Sequence, residues 1–181
     1  MRWILAHRVM ARFPTLRCHP TAIWDFGYQD LDAIQLGTGV SVLAFASIVV
    51  YKHSPRSPHE GRLLIGDDAV VAEGAIIRAA GGTIRIGRGS GIGQYGVVVA
   101  ANHTVRLGVP VLSGPWETVK SGVDIGDNVW LGAHCVVLPG VRIGDNSAIA
   151  AGSVVSHDVP PNEIWGGVPA RKIKDVPGPR S

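Results

Sequence analysis

At 181 residues the chain has the length of one ordinary domain, and 17 Lys and Arg against 14 Asp and Glu leave a formal net charge of only +3 at pH 7. A 46% hydrophobic content supports a real core, while 24 glycines and 6% aromatic residues favour a repetitive β fold with tight corners over a helical bundle. No apolar run reaches the length of a membrane-spanning helix, and basic residues without interleaved aromatics argue against a nucleic-acid surface.

Residues 1–33 read as an N-terminal cap. The start, Met1 to Arg17, is basic, holds few consecutive apolar residues and lacks a small-residue cleavage site, so it is a poor secretory leader. It suits a short amphipathic helix over 1–20 that covers the first coil, with at most peripheral contact with a membrane. Cys18 and Cys135 do not make a disulfide framework, which points to a reducing, cytoplasmic setting. Cys135 fills an inward small-residue slot and reads as a buried thiol.

From residue 34 to 170 an aliphatic residue recurs every sixth position. The positions are Leu36, Val42, Ile48; Ile65, Val71, Ile77; Ile86, Ile92, Val98; Ile125, Leu131, Val137; and Ile143, Ile149, Val155. They fall in threes, which predicts about five triangular coils of 18 residues, each side a short strand paired in parallel with the coil above. Successive coils start 29, 21, 39 and 18 residues apart. All surplus residues fall after a third hexad, so the excursions, about 49–64 and 104–124, are expected at one corner of a prism. A β-sandwich would need period-two alternation and hairpin turns instead. Gly126-Asp127-Asn128 and Gly144-Asp145-Asn146 suit corners that need positive φ. Residues 171–181 form a basic tail: Arg171, Lys172, Lys174 and Arg180 stand there, as Arg2, Arg8, Arg12 and Arg17 do at the other end.

Three stretches carry a resemblance: Asn128-Val129-Trp130-Leu131-Gly132, Ala150-Ala151-Gly152-Ser153-Val154-Val155 and Gly167-Val168-Pro169-Ala170-Arg171. Over about 34–176 the chain resembles the hexapeptide-repeat acyltransferases, most closely the sugar and polysaccharide O-acetyltransferase branch. The resemblance implies an all-β, left-handed parallel β-helix with short helical segments at its ends. The left hand comes from the resemblance alone, since the general rule for crossovers is right-handed. It further implies an acetyl-CoA-dependent transfer of acetyl to a saccharide hydroxyl in glycan biosynthesis, a homotrimer with sites at the subunit clefts, and no required metal.

The same resemblance implies roles for single residues. His103, at the root of the long excursion, matches the general base that takes a proton from the acceptor as it attacks the thioester. Asn102 orients that base, binds acceptor or simply forms a turn. Trp116 stacks on a sugar ring or anchors the loop, and Glu117 holds the imidazole or is plain surface. Ala133, Ala151 and Gly152 match the small residues beside the pantetheine arm, with corner packing as the alternative. Trp130 packs on the cofactor groove or on the core rim. Ser156, His157, Arg171 and Lys174 match positions near the nucleotide end, where the fork of arginine suits phosphate; His157 departs from the lysine of some relatives. His7, His19, His53, His59 and His134 read as loop or surface residues. With no catalytic serine or Cys–His pair, direct transfer in a ternary complex is expected. The alternatives are an N-acetyltransferase on the same fold, a γ carbonic anhydrase-like zinc enzyme, for which the histidine spacing is wrong, and a non-catalytic scaffold.

Overall fold

The computed structural model describes residues 2–27 and 29–178; Arg180 lies outside them. Helix α1 (Arg2–Arg12) comes first and buries Leu5 and Val9. Short strands then build three faces of a prism. The first face holds β1 (Arg17–Cys18), β4 (Ser41–Val42), β7 (Val70–Val71), β10 (Gly91–Ile92), β13 (Trp130–Leu131), β16 (Ala148–Ile149), β18 (Glu163–Gly167) and β19 (Ala170–Asp175). The second holds β2 (Ile23–Phe26), β5 (Ser47–Tyr51), β8 (Ile76–Ala80), β11 (Val97–Val99), β14 (Val136–Val137) and β17 (Val154–Val155). The third holds β3 (Ile34–Leu36), β6 (Arg62–Ile65), β9 (Thr83–Ile86), β12 (Val123–Ile125) and β15 (Arg142–Ile143). The chain visits the faces in rotation, and every pairing is parallel except β18 with β19. This is a three-sided parallel β-helix.

The six-residue frame is the stacking frame. Ile48 lies opposite Ile77, Ile77 opposite Val98, Val98 opposite Val137 and Val137 opposite Val155. All five are fully buried, and each contributes roughly 1.5–3 kcal/mol by leaving water. Corner chemistry repeats in the same way. Asn128, Asn146 and Asn162 take φ of 54°, 59° and 62°, and their side-chain amides chain together at 3.0 and 3.2 Å. The aspartate before each corner turns back to the coil above: Asp127 accepts from the Arg88 amide at 2.8 Å, and Asp145 from the Asp127 amide at 2.8 Å. Gly126 must lack a side chain because a Cβ there would collide with the Asp145 carboxylate. Buried hydroxyls bridge coils without strands: Ser147 donates to the Pro160 carbonyl at 2.8 Å, and Ser153 to Ala150 at 2.6 Å while accepting from the Gly167 amide at 3.1 Å.

The excursions leave from one corner, between the second and third faces. They are residues 27–33, 52–61, 81–82 and 100–122. A loop that leaves and returns at one corner lets the register resume unchanged.

The two ends differ from expectation. The strands begin at Arg17, inside the segment 1–33 read as a cap: Cys18 sits opposite Val42 and Trp24 opposite Ile48. Trp24 is fully buried in the aliphatic slot and donates to the Cys18 sulfur at 3.4 Å. The expected C-terminal helical segment is instead the β18–β19 hairpin, in which Lys172 meets both Glu163 and Asp175 at 2.7 Å. Among the described residues no helix is long and apolar enough to cross a membrane.

Candidate active site

The long excursion is pinned at its root. His103 forms an antiparallel bridge with Trp116, the Thr104 amide donates to Pro115 at 3.1 Å, and the Glu117 amide donates to the Asn102 carbonyl at 2.8 Å. The first excursion holds it from the other side: the Trp116 amide donates to Arg56 at 2.8 Å, and the His59 ring meets the Thr118 carbonyl at 3.1 Å. His59, expected as an ordinary loop residue, thus joins the two excursions.

His103 is exposed and stands edge-on to the Trp116 ring, with centroids 6.1 Å apart and planes at 75°. Arg78, Ala80, Ala101, His103 and Trp116 line a cleft of about 190 Å³. Its back wall is Trp116, whose ring lies on Gly81; a Cβ there would stand 2.5 Å from Cε3. The Trp116 Nε1 is buried and has no acceptor among the described residues.

The decisive contact is small. His103 Nδ1 lies 3.1 Å from the Val111 carbonyl oxygen. A carbonyl only accepts, so Nδ1 carries the hydrogen and Nε2 of the neutral ring keeps its lone pair. The loop therefore sets the tautomer a general base needs. Sequence inspection missed Val111 because a main-chain carbonyl has no side-chain signature. Glu117 does not hold the imidazole: its Oε1 accepts from the Thr118 and Val119 amides at 2.8 and 2.9 Å. Those amide bonds hold its carboxyl below the ordinary carboxylate range, assisted by Arg106 and Lys120. Asn102 is exposed and contributes its main-chain carbonyl to the loop root.

The residues matched to the donor lie elsewhere. Ala133, Ala151 and Gly152 sit at the corner between the first and second faces, where the Gly152 amide donates to Ala133 at 2.8 Å. Ala151 and Gly152 are exposed, and a Cβ on Gly152 would meet nothing within 4 Å. On the same corner His134 stacks on Tyr95, centroids 5.2 Å apart. Trp130 is 52% exposed and lies over Gly91. The width of the second face separates this corner from His103, roughly 15–20 Å at about 3.3 Å per residue. Ser156 and His157, in mutual contact at 3.0 Å, leave β17 on the His103 side. They stand two strands further along the sheet, about 10 Å by strand spacing. Arg171 and Lys174 are exposed on β19, where the Arg171 guanidinium donates to the Ala170 carbonyl at 2.8 Å. One chain thus unites His103 with Trp116, and Ala133 with Gly152, but not the two groups with each other.

Burial pushes the Cys135 thiol up, and its sulfur donates to the Ala150 carbonyl at 3.1 Å, so it is a packed core group. Among the described residues no three His, Cys, Asp or Glu side chains converge as a metal site would need.

A three-sided parallel β-helix with a histidine at the root of its long loop defines a structural class. Residues 122–157 match the bacterial transferase hexapeptide family (six repeats). It is 37% identical over 130 residues to the galactoside O-acetyltransferase of Escherichia coli K12, covering 62% of this chain and 63% of that protein. The chain thus spans less than two thirds of that relative's length. Among solved structures it is similar to the hexapeptide-repeat acetyltransferase VCA0836 of Vibrio cholerae, with TM-score 0.66 and 28% identity over 80% of this chain and 74% of that one. It also shares its fold with AntD, an N-acyltransferase of Bacillus cereus solved with dTDP-4-amino-4,6-dideoxyglucose and coenzyme A. There the TM-score is 0.69, at 21% identity over 93% of this chain and 88% of that one.

Proposed function

We propose that this chain transfers an acetyl group from acetyl-CoA to a hydroxyl of a saccharide, with His103 as the general base. The observation that carries the proposal is the His103–Val111 contact, which leaves Nε2 as the bare nitrogen of an exposed ring beside an open cleft. An acceptor hydroxyl at hydrogen-bond distance from Nε2 gives up its proton as its oxygen attacks the thioester carbonyl. The oxygen–acyl bond forms, the carbon–sulfur bond breaks, and the proton passes from the imidazolium to the departing thiolate. Similarity to a galactoside O-acetyltransferase supports the saccharide and the hydroxyl.

The donor runs along the small residues Ala133, Ala151 and Gly152, with Trp130 at its rim and Ser156, His157, Arg171 and Lys174 toward its phosphates. Because this corner and His103 lie a face apart in one chain, the site is completed between subunits of a homotrimer of left-handed coils. His103 comes from one subunit and the donor wall from the next. Asn102 and Trp116 border the acceptor, while Glu117 serves by shaping the loop turn. The test is a mass-spectrometric screen of sugars, amino sugars, nucleotide sugars and lipid-linked glycans with acetyl-CoA. A mass gain of one acetyl group that is lost to mild base, which cleaves esters and spares amides, is the expected result. Acetylation only at amines would replace the hydroxyl acceptor with an amino sugar, and no acetylation with no coenzyme A binding would end the proposal.

A further inference from the structure

The charged residue in the His103 cleft was not among the sequence candidates. Arg78 is exposed on β8 and lines the cleft with His103 and Trp116. It has no ion-pair partner among the described residues, where seven ion pairs involve other cations. It is nevertheless held: its guanidinium carbon lies 5.3 Å from the centroid of the Tyr51 ring. Tyr51 stands opposite Ala80, diagonal to Arg78 on the neighbouring strand, and its hydroxyl donates to Asp25 at 3.2 Å. The nearest carboxylate on this face is thus engaged with the phenol. It sits two strands from Arg78, since Asp25 is opposite Val49 and Val49 opposite Arg78. An arginine laid on an aromatic ring keeps its planar fork free for a carboxylate or phosphate.

The surroundings share the bias. The two excursions beside the cleft carry Arg56, Arg106 and Lys120, none in an ion pair among the described residues, whereas Lys52 and Arg62 are neutralised by Asp32 and Glu60. The opposing carboxylate is Glu117, which is occupied by its own turn. A cleft with an oriented, unpaired arginine and a cationic rim favours an anion.

Resting on the acyl-transfer reading above, we propose that the acceptor is an anionic saccharide and that Arg78 binds its carboxylate or phosphate while His103 receives the hydroxyl proton. This names an acceptor class and a specificity-determining residue. The two anion sources are distinguished by matched pairs: galactose against galacturonate, and N-acetylglucosamine against its 1-phosphate and its uridine diphosphate form.

Steady-state kcat/KM is measured for each pair with the full chain, for wild type, Arg78→Gln and Arg78→Lys, with KM for acetyl-CoA followed in parallel. Wild type is expected to favour the anionic member of at least one pair. Arg78→Gln should reduce that preference by roughly 10–100-fold, the range of a hydrogen bond to a charged group. Arg78→Lys should retain part of it. Three outcomes overturn the proposal: wild type favours the neutral members; Arg78→Gln lowers both members of a pair equally; or the loss appears in the KM for acetyl-CoA, which would assign Arg78 to the donor. Turnover without an anion preference ends this inference alone. If wild type acetylates no acceptor and binds no coenzyme A, the acyl-transfer reading fails and this one with it.

Discussion

His103→Asn separates the two roles of the histidine. The asparagine amide can still donate to the Val111 carbonyl, in place of the Nδ1 contact at 3.1 Å, but offers no basic nitrogen where Nε2 stood. Loss of the anchor, which His103→Ala adds to loss of the base, costs about 0.5–1.5 kcal/mol for an ordinary hydrogen bond, at most about tenfold in rate if all of it reached the transition state. Loss of the base costs roughly 10²–10⁴-fold, or about 2.7–5.4 kcal/mol. The base effect exceeds the anchor effect by at least a factor of ten, so the variants sort by chemistry rather than by loop order. His103→Asn and His103→Ala should both fall by 10²–10⁴-fold in kcat, within about tenfold of each other, with coenzyme A affinity retained. The assay is thiol release in the presence of acceptor, with calorimetry for coenzyme A. A His103→Asn variant that keeps more than about a tenth of wild-type kcat refutes the general-base assignment. A loss confined to coenzyme A affinity refutes the placement of His103 on the acceptor side.

Gly81→Ala puts a methyl 2.5 Å from Trp116 Cε3 at a backbone φ of +72°. It should destabilise by about 1–3 kcal/mol and shift Trp116, read by denaturant unfolding and tryptophan fluorescence; unchanged spectra would mean that Trp116 does not lie on Gly81. Trp24→Ala empties a fully buried slot under α1 and should cost about 3–5 kcal/mol in the same unfolding assay. A cost under about 1 kcal/mol would show that β1 and β2 are a loose cap rather than part of the prism. Ala151→Trp should weaken coenzyme A binding by calorimetry without lowering the melting temperature, because Ala151 is exposed; intact affinity would remove it from the donor wall. Glu163 is held below the ordinary carboxylate range by hydrogen bonds from Lys172 and Trp165. A lowered carboxylate contributes stability above its unfolded pKa, near 4.3, and that contribution is lost as pH falls through the lower folded value. Trp165 fluorescence should therefore change on acidification below about pH 4 in the native protein and not in Glu163→Gln.

The prism was legible because its rule is strict. Each aliphatic position from Val42 to Val155 in the frame points inward and stacks on its counterpart a coil away, and a one-residue slip would expose the set. The same strictness hid the first strands. Cys18 and Trp24 hold the slots of Val42 and Ile48, but neither is aliphatic, and the surplus residues 27–33 break the count before Leu36. The C-terminal hairpin escaped for another reason. Its order rests on Lys172 between Glu163 and Asp175 and on the parallel pairing of β18 with β16, contacts with no period to detect. In the site, His103 and Trp116 were visible as residues that interrupt a beat. Val111 and Arg78 were not: one acts through its main chain, and the other sits in register on a regular strand.

These failures share a cause that bears on how the site works. The frame reports only side chains that point inward, and chemistry in a β-helix sits on what points outward or leaves the coil. Arg78 is an outward position of β8, alternating with the buried Ile77 and Ala79, so the core constrains its backbone and leaves its side chain free. The His103 loop departs and returns at one corner, so the register closes beneath it whatever the loop contains. Core and site are therefore nearly independent in sequence while rigidly joined in space. Substitutions at Arg78 or at the exposed positions of the 104–122 loop should move acceptor preference with little change in unfolding free energy. Substitutions at Ile77 or Val98, one residue from the cleft in sequence or one strand away, should do the reverse.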